Sequence, residues 1–263
     1  MAQLIDYRTS FVFDGISSAI KNVFIITRDD YNEERIFGLN SSLETQDGIG
    51  DNKLFINRKN NTYSFEVEIT KLINDYMPKS ISEEEYDDIV RWLMTDEPKV
   101  FHVGGLIHYG CFTSATEFHT AKRCGIITLQ FESIYPYAFS PLIVSRYVVS
   151  GTKTIKLQNK TNINNKNVYL DLTIKKTKNS GNVTIKNKRT NKYFTINNLA
   201  LNEEIKVLGE SAKEVISITN KNKNLFDDLD YNSFPYLVYG ANEIEIIGDC
   251  EIQIEYQCPK ALR

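Results

Sequence analysis

Residues Gly125–Pro141, GIITLQFESIYPYAFSP, constrain this chain more than any other stretch. Ile127, Leu129 and Phe131 alternate with Thr128, Gln130 and Glu132, the period-two pattern of a strand buried on one face. The strand then meets Tyr135-Pro136-Tyr137 and Ser140-Pro141. Proline offers no N–H to a ladder and pushes the residue before it out of helical geometry. A regular strand therefore ends in a stiff, aromatic-flanked connector near mid-chain. The connector divides the protein into an N-terminal part, residues 1–141, and a C-terminal part, residues 142–263.

The N-terminal part reads mostly as strands. Phe11-Val12-Phe13 leads into the turn Asp14-Gly15, and Val23–Thr27 is a short apolar run. Tyr63, Phe65, Val67 and Ile69 alternate with Ser64, Glu66, Glu68 and Thr70. Val100–Val103 and Ile107–Phe112 flank Gly104-Gly105, a hairpin signal. Residues 39–52, LNSSLETQDGIGDN, are polar and glycine-containing and read as a loop. One helix is expected near residues 82–95. Ser82 and Glu85 form a capping box, Glu83 and Glu84 suit the positive end of the helix dipole, and Pro98 prevents extension. Tyr86, Ile89, Val90 and Leu93 make its apolar stripe, with Trp92 beside it.

The C-terminal part reads as strands only. Val168–Ile174, Asn182–Lys186, Tyr193–Ile196, Glu204–Val207, Val215–Thr219, Asn242–Ile246 and Glu251–Tyr256 are short and separated by Gly and Asn turns. That spacing argues for a sandwich or barrel. The charge also divides at the connector. Residues 1–141 carry 13 Lys+Arg against 21 Asp+Glu, and residues 142–263 carry 18 against 13. The lysines of Lys175–Lys192 sit among asparagines. They form either a basic face or a set of solvated strand and turn residues that guard sheet edges.

Chemistry-bearing motifs are absent from the sequence. It has no phosphate loop, dinucleotide fingerprint or nucleophile elbow. His102, His108, Cys111, His119 and Cys124 are local and could hold zinc if the strands converged, but their spacing matches no ligand pattern. Isolated strand histidines and reduced, buried thiols are the alternative, and Cys250 and Cys258 are read in the same way. Asp227, Asp228 and Asp230 suit turns and caps better than acid–base work. No catalytic residue, cofactor or metal is assigned. No apolar run approaches the ~20 residues of a membrane span, so no membrane insertion is expected. The start of the chain lacks a secretory pattern, which fits synthesis in a cytoplasm. The aromatic residues remain. Tyr135, Tyr137, Phe139, Tyr231, Phe234, Tyr236 and Tyr239 cluster near prolines, either filling β cores or presenting rings to a sugar or a partner.

The layout resembles that of the siphophage distal tail proteins. Three passages carry the resemblance. The first is Phe13-Asp14-Gly15-Ile16-Ser17-Ser18. The second is the helix with Trp92-Leu93, then a hairpin and the strand ending in Tyr135-Pro136-Tyr137-Ala138-Phe139-Ser140-Pro141. The third runs from Asn224-Leu225-Phe226-Asp227 through Phe234-Pro235 to Gly240-Ala241-Asn242-Glu243-Ile244-Glu245-Ile246. The resemblance implies a mainly β protein. An N-terminal β-sandwich with one helix and a β-hairpin would precede a C-terminal galectin-like β-sandwich. It implies a structural hub in the virion, a homo-hexameric ring at the tail tip made in the bacterial host cytoplasm. The ring would join the tail tube protein to a tail-associated protein and carry receptor-binding proteins in the baseplate, with DNA only passing through its channel. No catalytic residues come with the family. Asp47, Gly48, Ile49, Gly50 and Asp51 are the candidate inter-subunit contact. The alternative is a carbohydrate-binding module that recognises cell-wall glycan through Tyr231, Tyr236 and Tyr239.

Overall fold

The computed structural model describes residues 7–27, 38–47, 53–73, 77–118, 125–210 and 212–262. It is mainly β and forms two compact units. The first comprises the chain up to Ser140 together with Lys260–Arg263, and the second comprises Pro141–Pro259.

The first unit begins with β1 (Tyr7–Thr9), β2 (Val12–Phe13), β3 (Ile16–Ser17) and β4 (Val23–Thr27). Asp14 and Gly15 carry φ of 50° and 76° in the tight β2–β3 turn, the backbone that a two-residue hairpin requires. A ribbon follows, β5 (Ser41–Asp47) with β6 (Lys53–Asn60), and then β7 (Ser64–Ile73) and β8 (Met77–Pro78). Helix α1 spans Glu83–Leu93. After it come β9 (Lys99–Val103), β10 (Leu106–Phe118), β11 (Ile126–Ser133) and β12 (Ala138–Phe139). The main sheet runs in the order β1-β4-β7-β11-β10-β9-β2-β3. The expected strand of residues 63–70 and the Gly104-Gly105 hairpin are both present.

The helix starts where its capping chemistry lies. The Glu85 N–H donates to Ser82 Oγ at 3.3 Å, and the Ser82 N–H donates to Glu85 Oε2 at 3.2 Å. Glu85 also accepts from Lys71 (3.0 Å) and Lys79 (2.8 Å), so the helix start is tied to β7. These donors hold its carboxyl far down, to about 2. Ile89, Trp92 and Leu93 are buried. They join Phe11, Phe13, Phe101, Phe112, Phe131, Ile127 and Leu129 in one core. Trp92 stacks on Phe11 at 5.5 Å, and its indole N–H donates to the Phe13 carbonyl at 3.3 Å.

One expectation is corrected here. Residues 39–52 were expected to form a loop, yet Ser41–Asp47 is a strand paired antiparallel to β6 from Ser41↔Asn60 to Asp47↔Lys53. Leu43 is the only large apolar residue in SSLETQD, so this strand shows no period-two signal. Its conformation comes from pairing with β6, which one-strand periodicity cannot register.

The second unit contains β13 (Ile143–Val149), β14 (Thr152–Asn159), β15 (Val168–Tyr169), β16 (Asp171–Lys176), β17 (Gly181–Asn187), β18 (Lys192–Leu199), β19 (Glu204–Leu208), β20 (Glu214–Ser217), β21 (Leu229–Tyr231), β22 (Tyr236–Leu237), β23 (Gly240–Ile247) and β24 (Cys250–Tyr256). One five-stranded sheet runs β13-β24-β16-β19-β20, and the other runs β14-β23-β17-β18-β21. Leu172, Ile174, Ile205, Ile252 and Ile254 of the first meet Ile155, Val183, Ile185, Phe194 and Ile246 of the second in a single core. This is a two-sheet sandwich. Three buried asparagines brace the segment that enters β23. Asn242 donates to the Val238 and Gly240 carbonyls, Asn187 to Tyr236, and Asn159 to Leu237.

The last strand, β25 (Pro259–Lys260), joins the first unit's sheet beside β12. Beyond it, Leu262 exchanges both backbone hydrogen bonds with Gly38, at 2.7 and 3.1 Å. The chain therefore returns to its first unit after residue 259.

Gly110 shows how closely β10 and β11 approach. A Cβ there would lie 2.0 Å from the Glu132 carbonyl oxygen and 2.8 Å from the Phe131 ring. Backbone cannot yield as a flexible side chain would, so Gly110→Ala is expected to cost at least about 2 kcal/mol. Thermal unfolding checks this, and an unchanged midpoint would refute the close-approach reading.

Candidate interaction surface

The β5–β6 ribbon stands out by what it lacks. Its strands pair with each other and with no other strand among the described residues. Every residue of β6 is exposed. Leu43, Leu54, Phe55 and Ile56 are 65%, 59%, 65% and 59% accessible. Neighbouring strand residues point to opposite faces, so Leu54 and Phe55 present apolar surface on both sides of the ribbon. A bulge between Glu44 and Thr45 leaves Ile56 as the extra residue. A two-stranded ribbon is marginal on its own. Asn61 N–H to Asn40 O (2.8 Å) closes its base. Of the expected contact residues, Asp47 is the last of β5. Gly48, Ile49, Gly50 and Asp51 lie outside the described residues.

A second surface is polar. Glu66 and Glu68 of β7 stand opposite Gln130 and Thr128 of β11, which stand opposite Ser114 and Thr116 of β10. These rows form the face of the sheet turned away from Phe65, Ile69, Leu129 and Phe131. Glu132 extends them and accepts from Thr113 at 3.1 Å. The rows carry acidic side chains and no lysine or arginine.

The three expected tyrosines are not gathered into one platform of touching rings. Tyr231 lies on β21 against Phe194 and Phe234, with ring centroids 5.6 and 5.4 Å away. Tyr236 faces Tyr169 at 5.6 Å across the β15–β22 pair. Tyr239 is 67% accessible, and Arg189 Nη1 holds its carbonyl at 2.6 Å. Tyr135, Tyr137 and Phe139 instead pack with one another, and Tyr109 contacts Tyr135 and Phe139 in the first unit.

The histidines diverge. His102 pairs with Ile107, and His108 pairs with Phe101, so the two rings leave opposite faces of the hairpin. His119 and Cys124 lie outside the described residues. No group of three or more metal-ligating side chains occurs among the described residues. His108 is buried among Phe65, Phe101 and Phe131, and its Nδ1 lies 2.7 Å from the Tyr63 hydroxyl. Burial pushes the imidazole down to about 4 and the phenol up to about 12. Asp228 and Asp230 accept from Asn198 (2.9 Å) and Tyr193 (3.2 Å), and Phe226–Asp228 form a 3-10 turn. Of the lysines of residues 175–192, Lys175 and Lys176 lie on β16, Lys186 on β17 and Lys192 on β18, so they are divided between the two sheets, and Lys178 and Lys188 lie between strands.

Two family models match the chain. The phage tail protein N-terminal domain matches residues 7–134, and the phage tail C-terminal domain matches residues 137–256. Among solved structures, the chain is similar to the SPP1 Dit protein, described as a paradigm of the hub adsorption apparatus in phages infecting Gram-positive bacteria. The TM-score is 0.65 at 11% identity, covering 95% of this chain and 98% of that one. It is also similar to a chain of the phage P2 baseplate in its activated conformation, with a TM-score of 0.52 at 10% identity and the same coverage. At these identities the likeness is one of fold. A comparison with curated proteins found no match.

His108 gives a pH signature. Its folded pKa lies below the ordinary 6.5, so the unfolded chain binds the proton more readily. The stability that the neutral ring contributes is present above about 6.5 and is lost as pH falls toward about 4. A loss of ~1–2 kcal/mol between pH 7 and pH 5 is expected. His108→Gln removes this slope, and equilibrium unfolding at the two pH values measures the difference.

Proposed function

Because the chain belongs to the phage tail protein family, we propose that it is the distal tail hub of a long-tailed phage, a virion protein that closes into a homo-hexameric ring at the tail tip. The ring would join the tail tube on one side and a tail-associated protein on the other. The second unit's sandwich would be a galectin-like platform for receptor-binding proteins. The observation that carries this reading is the β5–β6 ribbon. Its apolar residues on both faces have no cover among the described residues, and a head-to-tail neighbour in a closed ring would supply one. The contact would take in Leu43, Leu54–Ile56 and Asp47, together with the Gly48-Ile49-Gly50-Asp51 segment that follows Asp47 in sequence. The acidic rows of β7, β11 and β10 suit a channel wall, since carboxylates repel passing DNA instead of gripping it.

Light scattering of the purified protein, or of the protein mixed with its tail tube partner, is expected to give six copies of 30.3 kDa, about 180 kDa. Leu54→Glu with Phe55→Ser removes two apolar anchors worth ~1.5–3 kcal/mol each. Ring assembly should weaken at least about a hundredfold while the monomer's unfolding midpoint holds. Deleting Asp47–Asp51 should act in the same direction. An unchanged ring in both variants would overturn the ribbon as the contact. A basic lumen in an electron-microscope map of the ring would overturn the assignment of the acidic face.

A further inference from the structure

The second unit carries a recess that ring formation does not require. It lies on the outer face of the β13-β24-β16-β19-β20 sheet and has a volume of about 460 Å³, within the ordinary ~300–1,000 Å³ of small-ligand sites. Two cross-strand rows floor it. One runs Arg146, Gln253, Thr173 and on to Lys206, and the next runs Val148, Glu251, Lys175, Glu204. Strand spacing places neighbours in a row about 4.8 Å apart and successive rows about 6.8 Å apart.

The side chains are poised differently from ordinary surface residues. Arg146 Nε donates to Gln253 Oε1 at 2.5 Å, and the Gln253 amide donates in turn to Glu255. This relay aims the arginine and leaves its terminal NH2 groups as donors. Lys175 lies between Glu251 and Glu204 in register, yet makes no ion pair within 4 Å among the described residues. The residues that line the recess supply two cations and two carboxylates, with Lys206 beside Thr173 in register. A hydroxyl both donates and accepts, so it satisfies both kinds of group.

The surrounding apolar residues argue against a protein partner. Protein interfaces have an apolar centre and a polar rim. Here the polar groups are central, and exposed Val144 and Val148 on β13 and Ile216 on β20 lie on the edge strands. Val148, 68% accessible, adjoins the recess and offers a surface for the C–H face of a sugar.

We propose that this sheet face binds a neutral saccharide, with Arg146, Lys175 and Glu251 as its hydrogen-bonding residues. The test is saturation-transfer NMR on the intact protein, using glucose, galactose and N-acetylglucosamine oligosaccharides as probes. Transfer to at least one class is expected at millimolar concentration. Arg146→Ala and Glu251→Gln should each reduce affinity at least tenfold, and Tyr239→Ala should leave it unchanged. Both altered positions are exposed strand residues, and an unshifted unfolding midpoint verifies the fold. Transfer to none of the probes would overturn the proposal, as would transfer that survives Arg146→Ala combined with Lys175→Ala. So would loss of binding in Tyr239→Ala alone. Ring assembly, read separately by light scattering, should be untouched by these variants, so failure here and failure of the hub reading are distinguishable.

Discussion

The first unit depends on the packing around the Phe101 ring. Phe101 is fully buried and touches Phe11, Phe13, Phe65, Phe112 and Phe131 at centroid distances of 5.2 to 6.5 Å. Those rings belong to β2, β7, β10, β11 and the residue just before β2. Trp92 extends the cluster to the helix. Each such ring removes a large apolar surface from water, and tilted or edge-on pairs add further attraction. The helix and strands β2, β7, β10 and β11 meet at this one nucleus of rings. Gly110 is part of the same constraint, because its missing side chain is what admits Phe131.

Much of this was legible in the sequence, for identifiable reasons. The strand ending at Tyr135 and the strand at residues 63–70 each bury one face only, so their side chains alternate. Helix α1 was legible because a capping box, an acidic first turn and an apolar stripe agree. The β5 strand was not, because both its faces are wet and alternation needs a buried face. The divergence of His102 and His108 depended on register, which only the Phe101↔His108 pairing reveals. Val168–Ile174, read as one strand, divides at Leu170, whose N–H donates to Pro235 at 2.9 Å. That long-range bond leaves no local mark.

The candidate surfaces were less legible than the fold. Tyr231, Tyr236 and Tyr239 are close in sequence but take different neighbours, because β21 and β22 belong to different sheets. The recess beside Arg146 is the reverse case. Its residues come from four strands scattered between 146 and 253, and each looks like an ordinary polar position of an alternating strand. The asparagines had a plainer use. Asn179, Asn191, Asn198 and Asn202 hold φ between 40° and 62°, the left-handed backbone that asparagine tolerates better than most residues. Others are buried donors to carbonyls that a sheet leaves unpaired.

The bond between Leu262 and Gly38 has a mechanical corollary. The second unit is an excursion that leaves the first after Ser140 and re-enters it at Lys260, so two covalent tethers join the pair. A pull on the second unit is shared between them, and neither carries the whole load. Grafting a different module at this position would preserve the first unit's sheet only if the graft delivered its end back to Gly38.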